Sequence, residues 1–212
     1  MTVKTEVSRF HIHDELTAPD ESAPILKSIQ VGGRAVNKLV GVLAGSPAVL
    51  RAYTRMRAEL QKGVLPQATR QRIALAVAEQ RGDGYSIARY AKTARSAGLG
   101  LDEITAARSF ASADPREQAL LTYLEASLEA DGAPPIHLHE EAREAGWEDE
   151  EILEALAHVA LGEFQSLMAA GAALPMDQAT AKILPDAACT APGTERKKAP
   201  ARVSGPGPSF KN

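Results

Sequence analysis

The stretch Gln71–Gly98, QRIALAVAEQRGDGYSIARYAKTARSAG, decides the fold. Ile73, Ala74, Val77 and Ala78 recur at helical spacing until Gly82, the pattern of an amphipathic helix that a glycine stops. Asp83 then stands as the N-cap of a second helix running to Ala97, with Gly98 placed as its C′ residue. A short turn thus sets the start of one helix against the end of another.

The same punctuation extends outward. Ser46-Pro47 opens a helix as N-cap and first helical residue, and Val49, Leu50, Tyr53, Met56 and Leu60 follow at three- and four-residue steps until Lys62-Gly63. Pro66 opens the helix that carries Ile73. Asp114-Pro115 starts another, with Ala119, Leu120, Tyr123, Leu124 and Leu128 inside and Asp131-Gly132 as its stop. A short helix after Pro134-Pro135 ends at Gly146, and a long last one spans about Asp149 to Ala172. No strand pattern competes, so the expectation is an all-α fold. Ala94-Arg95-Ser96-Ala97-Gly98 followed by Asp102-Glu103-Ile104 recurs as Ala142-Arg143-Glu144-Ala145-Gly146 followed by Glu150-Glu151-Ile152. Each copy is a helix, a glycine stop, an acidic first turn that complements the next macrodipole, and an isoleucine that begins the next apolar stripe. This predicts duplicated helical hairpins packed together.

Composition bounds the rest. The 212 residues are 44% hydrophobic and 4% aromatic, enough for one sizeable core built from Ala, Leu, Val and Ile. No run of roughly 18 apolar residues occurs and MTVKTEVSRF lacks the apolar core of an export signal, so the expectation is a cytoplasmic protein with no membrane span. Residues 186–212 hold five Lys/Arg against two Asp/Glu, which leaves residues 1–185 at −6 of the overall −3. An acidic body is a poor nucleic-acid binder. The organisation expected is one helical domain over 1–185 and a disordered Pro/Gly/Lys-rich tail over 186–212. Cys189, the single cysteine, sits in that tail, so no internal disulfide or cysteine metal cluster can form.

Together with FHIHDELTAPDESAPIL (10–26), LVGVLAGSPAVLRAY (39–53) and ALPMD (173–177), the opening stretch resembles the carboxymuconolactone decarboxylase and alkylhydroperoxidase D family, in particular its two-lobed peroxidase-related branch. The resemblance implies an alkylhydroperoxidase D-like helical fold, a homo-oligomer (dimer, trimer or hexamer) and no cofactor. It also implies a site at the second helix N-terminus, where relatives carry Cys-x-x-Cys-x-x-x-His. Here Asp83, Ser86 and Tyr90 occupy those places, and Gln71 stands where some members place a relay Glu. The decarboxylase branch replaces the second Cys by Glu and keeps the His, so Ser86 and Tyr90 depart from that pattern as well. Without two sulfurs, a dithiol cycle cannot close.

Asp83, Ser86 and Tyr90 fall at i, i+3 and i+7, a spacing that can present a carboxylate, a hydroxyl and a phenol on one stripe. They are the candidate catalytic residues, Asp83 as base and Tyr90 as acid or oxyanion donor. Against this, Asp is a preferred N-cap, and the cap alone accounts for it with about 1 kcal/mol of helix stability. Tyr85, Gln71 and Glu79 are the candidate substrate-binding residues, with solvent as the competing place for Glu79. His11/His13 and His137/His139 have metal-ligand chemistry, but on a helix the i and i+2 side chains diverge and no third ligand is specified, so no metal is expected. His158, among Leu156, Val159 and Leu161, reads as a satisfied core or interface histidine. Arg51, Arg55, Lys92 and Arg95 read as a solvated or oligomer-facing surface. Three functions follow as expectations: a cofactor-independent enzyme acting on a small organic acid or carbonyl, a non-catalytic small-molecule-binding or scaffold oligomer, or an alkylhydroperoxidase by family likeness alone.

Overall fold

A computed structural model describes residues 8–31 and 36–175. The 186–212 tail with Cys189, and the end of the ALPMD segment, lie outside the described residues. Helices follow one another as α1 (Ala23–Val31), α2 (Lys38–Leu43), α3 (Pro47–Leu60), α4 (Gln67–Gln80), α5 (Gly84–Ser96), α6 (Leu101–Ala107), α7 (Pro115–Glu129), α8 (Ile136–Glu144) and α9 (Asp149–Ala172). No strand occurs among the described residues. The all-α expectation holds, and the glycine, proline and acidic signals mark the ends of α3 to α9 to within a few residues. No helix among the described residues is long and apolar enough to cross a membrane.

The caps explain why these segments start where they do. Asn37 accepts from the Val40 N–H at 2.9 Å, Asp83 from Ser86 at 3.0 Å and Asp114 from Arg116 at 2.9 Å. At α9 a capping box forms, with Glu151 accepting from the Glu148 N–H at 2.9 Å. The repeated motif is realised in the backbone. Gly98 (φ +91°) and Gly146 (φ +94°) both take the left-handed conformation that a side chain resists. Behind them Leu99 N–H donates to Ala94 O at 3.0 Å and Trp147 N–H to Ala142 O at 3.2 Å, the paired bonds of a Schellman stop. Leu99 and Trp147 then drop into the core on either side.

Three apolar clusters share two helices. Ile73, Ala76 and Val77 of α4 meet α7, α8 and the first half of α9, while Leu75 and Ala78 meet α5 and α6. The second half of α9 packs on α1, α2 and α3 through Leu161, Ala169 and Ala172. At 24 residues α9 is about 36 Å long and can serve both clusters. Helix α4 departs from the expected single stripe. Thr69, Arg72, Leu75 and Ala76 are buried with Ile73, Val77 and Ala78, because α4 has neighbours on several sides. Close approach of α4 and α9 depends on Gly162, where a Cβ would lie 3.0 Å from Val77 Cγ1.

Candidate functional site

Four helices turn one stripe each toward a cavity of about 1060 Å³. Helix α3 contributes Tyr53, Thr54 and Arg57, and α4 contributes Gln67, Arg70, Gln71 and Ala74. Helix α5 adds Tyr85, Ala88, Arg89, Tyr90, Lys92 and Thr93, and α9 adds His158, Leu161, Gly162 and Gln165. These sets recur at steps of three, four and seven, the one-face spacing of a helix. Ile29 and Val40 close the cavity from α1 and α2.

The lining is electrically one-sided. Arg57, Arg70, Arg89 and Lys92 reach it, and no Asp or Glu is among the residues that line it. None of the four has a carboxylate within ion-pair distance among the described residues. Arg70 is pinned by donating to the carbonyls of Leu60 (3.3 Å) and Gln61 (3.1 Å), while its Nε is enclosed without a partner. Arg89 donates to Tyr90 Oη at 3.2 Å, with its Cζ 4.8 Å from the ring centroid.

A buried polar chain runs from that guanidinium. Tyr90 Oη donates to Gln165 Oε1, and Gln165 Nε2 donates to Tyr53 Oη at 2.8 Å. Both ends of the buried amide are thereby satisfied. Burial pushes the Tyr90 phenol above its ordinary range in spite of Arg89, so it is a neutral donor at physiological pH. Tyr53 stacks on Phe164 with ring centroids 6.0 Å apart, which fixes where its hydroxyl sits. On the α4 side, Thr93 Oγ1 donates to Gln71 Oε1 at 2.5 Å and ties α5 to α4.

The expected site residues are divided by this geometry. Tyr90, Tyr85 and Gln71 line the cavity; Asp83, Ser86 and Glu79 do not. Asp83 forms the cap, its Oδ1 accepting from Ser86 N–H, and its Oδ2 is enclosed without a partner. Ser86 is buried one turn further in. Glu79 lies on another face of α4 and accepts from Arg108 Nε at 2.7 Å. His158 corrects the reading of a satisfied histidine. It lines the cavity, and its buried Nε2 has no partner. Burial and then Arg70 hold its imidazole below the usual range, against the pull of Glu154 and the Leu60 carbonyl. Of the histidine pairs, His137 is exposed on α8 while His139 lies edge-on to Tyr123. No group of three or more His, Cys, Asp or Glu side chains placed to hold a metal occurs among the described residues.

Sequence reasoning missed Tyr53, Arg57, Arg70, Arg89 and Gln165. The signal was present as position: each sits on the same helical stripe as another polar lining residue, and Gln165 stands between Leu161 and Ala169 on the buried face of α9. It went unread because cations on a stripe look like solvated surface until a facing helix is known.

Residues 47–126, from the start of α3 to within α7, match the model of the Carboxymuconolactone decarboxylase family. The match covers 80 of the chain's 212 residues, and over them the chain is similar to that family. An uncharacterized peroxidase-related protein from Ralstonia eutropha JMP134, with an alkylhydroperoxidase AhpD core, superimposes with a TM-score of 0.66 at 22% identity, over 82% of this chain and 95% of that one. A peroxidase-related protein from Silicibacter sp. TM1040 gives 0.67 at 19% identity, over 85% and 97%. The debrominase Bmp8, in a cysteine-to-alanine variant bound to 2,3,4-tribromopyrrole, gives 0.65 at 17% identity, over 77% and 91%. At these identities the likeness is one of fold. No curated protein matches the chain. This chain carries a carboxylate and a hydroxyl at 83 and 86, and its open polar surface lies on stripes of α3, α4, α5 and α9.

Proposed function

We propose that this carboxymuconolactone decarboxylase-like protein binds a small organic acid in the α3–α4–α5–α9 cavity and acts on it without a thiol or a cofactor. One observation carries the reading: four cations line the cavity with no carboxylate among them. Like charges gathered in a concave, partly desolvated wall repel one another, and an anionic ligand relieves that repulsion. Ala74, Ala88, Leu161 and Gly162 beside them suit an apolar body behind an acidic head.

The chemistry this supports is proton transfer next to a carboxylate or carbonyl. Arginines and phenols stabilise charge that builds on oxygen, as oxyanion donors do. His158 is the lining group whose ordinary range lies nearest neutrality, and held neutral it is the candidate proton acceptor. Asp83 and Ser86 keep the supporting role of starting α5. A dithiol peroxidase reading finds no support, since 83 and 86 carry no sulfur. The second reading, a binding or scaffold oligomer without turnover, is favoured by the enclosure of His158 Nε2 away from the cavity surface. Self-association belongs to either reading, and Leu153 and Leu167 are exposed on α9 as apolar surface for it.

Calorimetry with a panel of short-chain and aromatic carboxylates, paired with NMR detection of product, tests the proposal. Saturable binding of acids that weakens in Arg57→Leu supports it; binding with turnover lost in His158→Gln supports the enzyme, and binding without turnover supports the second reading. Equal affinity for acids and their uncharged amides overturns both.

A further inference from the structure

The buried chain has a direction. Arg89 can only donate, so the Tyr90 oxygen is the acceptor of that bond. Tyr90 passes its own proton to Gln165 Oε1, and the opposite end of the amide donates to the Tyr53 oxygen. Each oxygen of this buried chain then accepts from an internal donor. The proton of the Tyr53 hydroxyl is the one left over, and among the described residues no protein group receives it. Hydrogen bonds in series polarise one another, so a hydroxyl whose oxygen already accepts is a stronger donor than an isolated phenol. Tyr53 lines the cavity, and Arg57 lies one turn further along the same face of α3.

We propose that Tyr53 donates the hydrogen bond that receives the ligand's anionic oxygen, beside Arg57, and that Arg89 is a positioning residue acting on it through Tyr90 and Gln165. This deepens the organic-acid reading and rests on it. The end of the cavity beside Tyr53 offers two donors, the Tyr53 O–H and the Arg57 guanidinium. The ligand end that meets it is a bare oxygen acceptor. A carboxylate fits with both oxygens accepting, while a primary amide of the same shape turns N–H groups toward these donors, and unpaired buried donors are costly. The wall therefore selects the acid over its amide by structure as well as by charge.

Matched pairs test this on the full-length chain: hexanoate with hexanamide, and 3-phenylpropanoate with 3-phenylpropanamide, titrated by calorimetry. Wild type is expected to prefer each acid. Tyr53→Phe keeps the stacked ring and is expected to lose roughly tenfold in acid affinity, the worth of one charge-assisted hydrogen bond. Tyr90→Phe interrupts the series behind Tyr53 and is expected to lose less acid affinity than Tyr53→Phe, because the Tyr90 proton points inward to Gln165 and not to the ligand. In Gln165→Glu both side-chain oxygens accept, so the Tyr53 proton turns inward and affinity falls at least as far as in Tyr53→Phe. An unchanged affinity in Tyr53→Phe overturns the proposal. So does a larger loss in Tyr90→Phe than in Tyr53→Phe, which would mean that the amide runs the other way. The two phenylalanine variants decide the matter even where Gln165→Glu fails to fold. If neither acid binds wild type, or each amide binds as well as its acid, the organic-acid reading itself falls; acid preference that Tyr53→Phe leaves intact overturns only the assignment of the donor.

Discussion

Helix α4 separates two clusters of cations that differ in burial and in what faces them. On one face Arg72 donates to Glu103 at 2.7 Å and lies 3.3 Å from Glu117, with Thr69 donating to Glu117 at 2.6 Å and Ser112 to Glu103. On the opposite face Arg70 joins Arg57, Arg89 and Lys92 around a cavity without a carboxylate. Arg72 is buried, whereas Arg57, Arg70 and Arg89 are half-buried and Lys92 is exposed, so the first cluster needs compensation more than the second. The first is compensated by the protein itself and holds α4 to α6 and α7. The second is left for a ligand. A partly desolvated cation is thus a structural element or a binding element according to what faces it.

Breaking the compensated cluster gives the largest effect. Arg72→Leu strands two carboxylates close together in a poorly solvated place, and the expected loss is about 3–5 kcal/mol, the range for removing one partner of a buried ion pair. Urea denaturation measures it. A loss near zero would mean that Glu103 and Glu117 are rehydrated or protonated at little cost.

The same substitution on the other face should act on the ligand instead. Arg57→Leu is expected to change folding stability by less than about 1 kcal/mol, since it removes repulsion as well as packing, yet to weaken carboxylate binding roughly tenfold to a hundredfold. Calorimetry and a melt on one sample report both numbers. A stability loss matching that of Arg72→Leu would make the two clusters alike and remove the argument for a site.

How far these faces could be read beforehand depends on what each feature requires. The helix starts and stops were legible because Ser46, Asp83, Asp114 and the glycines at 98 and 146 act within a few residues of themselves. Tyr90 and Gln71 were found through their place in a family pattern, and Tyr85 as their neighbour at the start of α5. Tyr53 and Gln165 were not, because their pairing spans 112 residues and exists only once α3 packs on α9. Arg72 was equally opaque: its sequence neighbours Arg70 and Gln71 point the other way, and its partners come from α6 and α7.

Adding a carboxylate to the uncompensated face sharpens the contrast. Gln71→Glu preserves shape and keeps an acceptor for Thr93 while placing a negative charge among the cations. The expected result is an equal or slightly higher melting temperature with about tenfold weaker acid binding, the bound ligand's role being partly taken by the protein. Unchanged binding would show that the cations act independently of the cavity's total charge.

The smallest effect lies within the compensated cluster, whose two carboxylates titrate in opposite senses. Burial raises Glu117 above its ordinary 4.5, with Thr69 and Arg72 only partly opposing. Burial also acts on Glu103, but hydrogen bonds from Ser112 and Arg72 outweigh it and hold that carboxyl below 4.5. By linkage, the Glu117 contribution is complete below its unfolded value and is lost as pH rises through the raised folded one. The Glu103 contribution is complete above the unfolded value and is lost as pH falls through the lowered folded one. Stability curves should therefore separate in different windows. Glu117→Gln should gain on wild type as pH climbs above about 4.5, while the deficit of Glu103→Gln should shrink as pH drops below it. Urea midpoints from acid to neutral pH give the two difference curves directly. Parallel curves in both variants would mean that Arg72 divides its charge between the carboxylates equally, and that the pair behaves as one site and not as a compensated Glu103 beside a strained Glu117.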